Sequence, residues 1–314
     1  MNALLIFLAI GVATVLVSLV VEALRPEPPT PEKLPWAPEI PIQYVAVDGM
    51  RLRYIKTGQG PNLVLLHTLR TQLDIFQGAM PALAQRFTVH ALDYPGHGYS
   101  DIPETDYEPA LFVRAVTGFL DRLSIDHAVL AGVSIGGVIP LLLAAQGNPR
   151  VRKIVSINPY DYARGRGLAR ANIIARVLVT CAMIPVVGET FLRLRNPLVE
   201  NHVFRGGVGE PGAFPPALLA DLYRHGNRRG HYRAFLNLLR NGAKWEEARS
   251  EYGKVKVPVL VVYGERDWST AAERDATVRA IPAARMETVS GGGHFLPVDK
   301  PGDVARLVIE FAGS

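Results

Sequence analysis

The longest apolar block comes first: Ala3 to Val21 is a run of 19 residues without a charge, from Leu4-Leu5-Ile6-Phe7 to Leu19-Val20-Val21. As a helix it would be about 28 Å long at about 1.5 Å per residue, close to the roughly 30 Å hydrocarbon core of a bilayer. A cleaved signal peptide would carry a basic start, a shorter apolar stretch and a small-residue cleavage site. No Lys or Arg precedes this run, and Glu22-Ala23-Leu24-Arg25 is a poor cleavage site. Residues 1–24 therefore read as a retained transmembrane anchor. Residues 25–41 then hold seven prolines, a density that predicts an extended, semi-rigid linker. Trp36, within it, suits either the headgroup level or a packing contact on the domain.

From Ile42 the rhythm changes. Asn62–His67, the apolar run ending at Leu130, Val151–Ile157, Val257–Tyr263 and Arg285–Val289 read as short strands, and Val138–Ala145 and Pro301–Ala312 as helices. Strands alternating with helices predict a mostly parallel sheet flanked by helices, in two parts, 42–160 and 251–314. Between Tyr160 and Lys254 the alternation lapses. There Ala171–Cys181 has Ile173, Ile174, Val177 and Leu178 at helical spacing, and Leu218–Tyr223 and Tyr232–Leu239 read as further helices. Residues 161–250 are thus expected to be a helical insertion.

The candidate chemistry sits at the strand ends. Ala131-Gly132-Val133-Ser134-Ile135-Gly136-Gly137 lies between an apolar strand and a helix, the context in which G-x-S-x-G marks a nucleophile. The sharp turn lifts the serine clear of the sheet, and glycines flank it because side chains there would collide. The competing reading is a glycine-rich phosphate loop at a helix start. A serine needs a base, and the base an orienting acid. His294 follows Gly291-Gly292-Gly293, a loop without side-chain bulk that lets an imidazole reach across the top of a sheet. Asp267 lies three residues past the strand ending at Gly264, where open α/β sheets place their chemistry. Glu265, two residues earlier, and Asp161, beyond the strand Val151–Ile157, compete for the same role.

The order Ser134…Asp267…His294 resembles that of the α/β-hydrolase fold, in its serine-nucleophile branch with a helical cap. Asn62–His67 with Thr68-Leu69-Arg70 looks like that family's third strand and oxyanion loop. Asp93-Tyr94-Pro95-Gly96-His97-Gly98-Tyr99-Ser100 resembles its D-x-x-G-x-G-x-S loop, and Gly264-Glu265-Arg266-Asp267 its acid-bearing G-x-x-D. The resemblance implies an eight-stranded, mostly parallel sheet with a cap inserted after strand 6. It implies backbone N–H groups of Leu69 and Ile135 as the oxyanion hole, and no cofactor or metal. Thr68 stands where the family usually has glycine, and this β-branched residue is expected to stiffen the turn. Pro95 replaces the commoner arginine. His67 is expected to brace the oxyanion loop, and neither it nor His97 to act as base. Haloalkane dehalogenases and epoxide hydrolases of this fold use an aspartate at the position of Ser134, so an acyl carbonyl substrate is implied instead.

Composition narrows the field. The single cysteine, Cys181, excludes an intramolecular disulfide, and neither H-E-x-x-H nor a P-loop motif occurs. Residues 161–250 hold 14 Lys/Arg against 7 Asp/Glu, although the whole chain is only +5. That surplus reads as a solvated face or as attraction to an anionic membrane, and not as a nucleic-acid site, for which no motif is present. Arg25 and Lys33 follow the apolar span and no basic residue precedes it, which points to a cytoplasmic domain.

The sequence thus predicts a membrane-anchored serine hydrolase acting on carboxylic esters with hydrophobic acyl chains, similar to monoacylglycerol lipase-like members. The same three residues would serve a thioesterase, amidase, carbon–carbon hydrolase or cofactor-free haloperoxidase. A dinucleotide-binding protein or a non-catalytic scaffold are the readings from other classes. The expected partners are a small ester or lipid and the membrane.

Overall fold

The computed structural model describes residues 3–313. Its centre is one sheet in the order β1-β2-β3-β5-β4-β6-β7-β8-β9. The strands are β1 (Lys33–Leu34), β2 (Ala37–Val47), β3 (Met50–Thr57), β4 (Asn62–Leu66), β5 (Thr88–Leu92), β6 (Ala128–Val133), β7 (Val151–Ile157), β8 (Val259–Gly264) and β9 (Arg285–Val289). From β5 to β9 the neighbours run parallel, while β1, β2 and β3 pair antiparallel. The sheet is mixed and has nine strands where eight were expected.

Strand β1, paired with the start of β2, also corrects the linker. Residues 25–41 do not form a free spacer. Leu34, Ala37 and Ile40 are buried, and the Trp36 indole donates to Asp74 Oδ1 at 2.7 Å. Apolar residues spaced among the prolines give this segment something to bury, and the prolines do not obstruct it. The β2–β3 ladder runs only from Ile42 to Val47, so Pro38 and Pro41 lie outside it.

Alternate residues of the parallel strands feed two apolar layers. Val64 and Leu66 join one, Leu63 and Leu65 the other. Helices α1 (Ala3–Ala23), α2 (Met80–Ala84), α3 (Pro109–Arg122) and α4 (Ile135–Ala145) precede the insertion. The insertion holds six α-helices: α5 (Ile173–Ala182), α6 (Val187–Arg193), α7 (Pro197–Arg205), α8 (Pro216–Gly226), α9 (His231–Arg240) and α10 (Gly242–Glu247). Only α5, α8 and α9 were legible as helical spacing. The others are short; α6 is seven residues and α7 nine, begun by Pro197. α11 (Ala271–Ala280), α12 (Leu296–Asp299) and α13 (Pro301–Gly313) complete the fold.

Helix α1 is 21 residues long, almost wholly exposed, and among the described residues it alone is long and apolar enough to cross a membrane. Its C-terminal end is not free. Glu22 is buried against the cap, where Oε1 accepts from Gly230 N–H at 2.8 Å and Oε2 pairs with Arg25 at 3.0 Å and Arg195 at 2.8 Å. Arg25 in turn donates to the Arg193 carbonyl at 2.6 Å. The apolar helix is therefore joined to the cap directly, through a buried ionic knot that nothing in the local sequence announces.

Candidate active site

Ser134 sits between β6 and α4 with φ 62° and ψ −120°, a conformation that costs free energy for any residue with a side chain. The flanking glycines make it possible. A Cβ on Gly132 would lie 1.9 Å from the Gly136 carbonyl oxygen, and one on Gly136 would lie 2.3 Å from that of Leu66. The turn is thus pressed against the end of β4, and only glycine fits at either position. Ser134 N–H donates to the Ile157 carbonyl at 2.8 Å, which ties the turn to β7 as well. Its Oγ is buried and unpartnered.

His294 comes from the loop between β9 and α12. Its Nδ1 lies 2.5 Å from Asp267 Oδ1, and both side chains are buried. The Nε2 of the same ring has no partner. Burial alone would raise Asp267, but His294 beside it and hydrogen bonds from His294 and from the Ser269 hydroxyl and N–H hold it below the usual carboxylate range. The acceptor of that bond fixes the ring's tautomer and leaves Nε2 as the nitrogen available to a neighbour.

The two competing carboxylates do other work. Asp161 accepts from the Thr277 hydroxyl at 2.9 and 3.0 Å, and burial pushes it up to about 7. Glu265 accepts from Gly291 N–H at 2.7 Å and from the Ser290 hydroxyl at 3.0 Å, so it braces the histidine loop from outside. Of the three acids, Asp267 is the one that touches the imidazole.

Two positioning residues were missed by sequence reasoning. Asn158, at the end of β7 with φ 44°, donates to the Gly293 and His294 carbonyls at 3.0 and 2.9 Å and accepts from Gly264 N–H at 2.8 Å. One amide thereby joins the acid-bearing and histidine-bearing strand ends. Trp268 stacks on the His294 ring at 3.9 Å and 13°. Asn158-Pro159 immediately after a strand, and an aromatic next to the acid, were the available signals.

The loop after β4 runs His67-Thr68-Leu69-Arg70. His67 bridges the Thr68 carbonyl at 2.8 Å and, through Nε2, the N–H of Tyr94 at 3.1 Å, so it does brace this loop. Thr68 is buried and its N–H donates to the Thr71 hydroxyl at 3.2 Å. The left-handed residue of the loop is Arg70, with φ 61°. The D-x-x-G-x-G-x-S segment is structural too: Asp93 accepts from Leu73 and Tyr99 N–H and pairs with Arg53 at 2.9 Å. A Cβ on Gly98 would fall 1.9 Å from the Asp93 carboxylate, which explains that glycine.

A cavity of about 290 Å³ lies under the cap, with His294, Leu69 and Thr68 on its core side. Phe191, Leu192, Phe204 and Phe235 give it an apolar roof, interrupted by Arg70, Arg195 and Glu200. The cap's basic surplus is largely spent on internal contacts: Arg170 pairs with Glu273, Arg195 with Glu22, Arg240 with Glu189, and Arg228 donates to the Ser100 carbonyl.

Over residues 61–301 the sequence matches the profile of the alpha/beta hydrolase fold. The chain belongs to the α/β-hydrolase fold family. Several of its relatives are hydrolases by name. It is 26% identical over 276 residues to 2-(acetamidomethylene)succinate hydrolase of Mesorhizobium japonicum, covering 85% of this chain and 93% of that one. Among solved structures, the haloalkane dehalogenase DbeA of Bradyrhizobium elkani superposes with a TM-score of 0.77 at 22% identity, covering 88% of this chain and 98% of that chain. The enol-lactonase of Burkholderia xenovorans superposes at 0.65 and 23%, covering 87% and 100%. At such identities the structural likeness concerns the fold.

Proposed function

We propose that this hydrolase-fold protein is a membrane-anchored serine hydrolase that cleaves carboxylic esters with hydrophobic acyl chains. The observation that carries the reading is Ser134 on its strained elbow together with the Asp267–His294 pair, whose free nitrogen is Nε2. In this reading Ser134 Oγ attacks the acyl carbon while His294 Nε2 takes its proton. The C–O bond to the alcohol then breaks, and His294 returns the proton to the departing alcohol. Water, activated by the same imidazole, adds to the acyl-enzyme and releases the acid. Asp267 orients the ring and stabilises its cation. The N–H groups of Leu69, which lines the cavity, and of Ile135, at the start of α4, are assigned to the developing oxyanion. Ser134 Oγ and His294 Nε2 each lack a hydrogen-bond partner within the chain, which leaves both atoms open to a reacting group.

The substrate class rests on the cavity and on α1. The cavity wall is mostly aliphatic and aromatic. On the cap, Ile173, Val177, Val186, Val187 and Leu198 are exposed, and Val187 begins α6, the helix that packs against α1. An apolar helix of spanning length joined to such a cap supports a lipid-derived ester drawn from the bilayer, and Arg25 and Lys33 on the domain side of the span favour the cytoplasmic side. The test is a series of p-nitrophenyl esters of increasing chain length. The reading expects kcat/KM to rise from acetate toward medium chains by about tenfold per pair of methylenes, since each buried methylene contributes about 0.8 kcal/mol. A profile that falls from acetate onward contradicts the acyl-chain assignment.

A further inference from the structure

Besides the His294 imidazole, the cavity wall holds a buried carboxylate oxygen and a hydroxyl without a hydrogen-bond partner. Glu200, on α7, is 9% exposed and lines the cavity. Its Oε1 is occupied by Arg70, at 3.1 Å from Nε and 2.7 Å from Nη2, while Oε2 is buried with no partner. An ionised carboxylate can only accept hydrogen bonds, so Oε2 needs a donor that this chain does not provide. The Thr68 hydroxyl, also unpartnered on the same wall, can either donate or accept and so selects no one kind of partner. The arginines on this wall are already engaged: Arg70 by Glu200 and His231 Nδ1, and Arg195 by Glu22 and the carbonyls of Leu192, Gly226 and Arg228.

We propose that Glu200 Oε2 receives a hydroxyl group of the substrate, so that the preferred ester is apolar over most of its length and carries one alcohol function. The inference rests on the ester-hydrolase reading and specifies its substrate. Position supports it. Arg70, which holds Glu200, directly follows Leu69, so the carboxylate stands within one arginine side chain of the proposed oxyanion donor. Charge balance selects a neutral donor. Arg25, Arg70 and Arg195 face only Glu22 and Glu200 in this buried cluster, so an ammonium group would add a second uncompensated positive charge.

The test uses two pairs of esters matched in size, one with the hydroxyl on each side of the scissile bond. Hydroxypropyl octanoate is compared with butyl octanoate, and methyl hydroxyhexanoate, hydroxylated at its chain end, with methyl heptanoate, all on the full-length protein in detergent. A hydrogen bond to a buried charge predicts that the hydroxyl ester of at least one pair has a kcat/KM higher by about 10- to 100-fold. In Glu200→Gln, whose folding is checked by its circular-dichroism melt, that ratio should collapse toward one. Equal rates within both pairs, as a water permanently held on Oε2 would give, overturn the proposal, and that comparison needs no variant. So does a preference that survives unchanged in folded Glu200→Gln. If wild type turns over none of the esters, the ester-hydrolase reading fails first, and this inference with it.

Discussion

Glu22→Ala probes the junction between the apolar helix and the cap. The carboxylate binds Arg25, Arg195 and Gly230 N–H, and the three side chains are only 10%, 7% and 6% exposed for Glu22, Arg25 and Arg195. Removing one partner of a buried ion pair leaves the other charge uncompensated, at a cost of about 3–5 kcal/mol. Arg195 would keep three backbone carbonyls, so its N–H groups stay satisfied and the lower end, about 3 kcal/mol, applies. Burial has already brought Arg195 down to about 10, and losing Glu22 removes a contribution that holds it up. At about 2 °C per kcal/mol for a large domain, the melting temperature should fall by about 6 °C. The assay is the thermal loss of reaction with a fluorophosphonate probe, measured on full-length protein in detergent. Glu22→Gln, which keeps an acceptor for Gly230, should fall between wild type and Glu22→Ala. A chain beginning near Glu32 loses both Glu22 and Arg25 and should show at least the full deficit. Unfolding of Glu22→Ala that superimposes on wild type would refute the claim that this knot ties the helix to the cap.

Three further outcomes follow from the site. Asp267→Asn should lower kcat by about 10⁴ by favouring the wrong imidazole tautomer, whereas Asp161→Asn should leave kcat near wild type; the reverse pattern would move the acid to the end of β7. Acid should destabilise the fold between pH 6.5 and about 4. Burial holds His67, His225 and His231 well below their usual range and His90 and His97 at about 4, so in this window the unfolded chain takes up protons that the folded one refuses. His97 alone accounts for about 3 kcal/mol, and the opposing gain from Asp93 and Asp161, raised to about 6 and 7, involves only two groups. A melting temperature as high at pH 4.5 as at pH 7 would contradict this balance. Finally, Gly136→Ala should abolish folding or activity, because its Cβ would meet the Leu66 and His67 carbonyls; a well-folded, active variant would mean the elbow is looser than described.

What the sequence made legible was short-range. Ser134, Asp267 and His294 each stand a fixed few residues past a strand end, and the strand–turn–helix pattern around each is written locally. The long-range contacts that tie the segments to one another are not. Asn158 acts through backbone carbonyls 135 and 136 positions away, Arg70 through a glutamate 130 positions away, and Glu22 through Arg195, 173 positions away. No periodicity encodes such pairs. The proline-rich segment misled for a related reason: proline density predicts extended backbone correctly, but whether that backbone packs depends on Leu34, Ala37 and Ile40 finding a surface to bury against.

The central claim is that Ser134 is an activated nucleophile. Full-length protein treated with a fluorophosphonate probe should gain one adduct by intact mass, localised by peptide mapping to the segment containing Ser134. Ser134→Ala should take up none and lose kcat on the order of 10⁶-fold. Labelling that persists in Ser134→Ala, or an adduct on another serine with turnover retained above a tenth of wild type, would contradict the account.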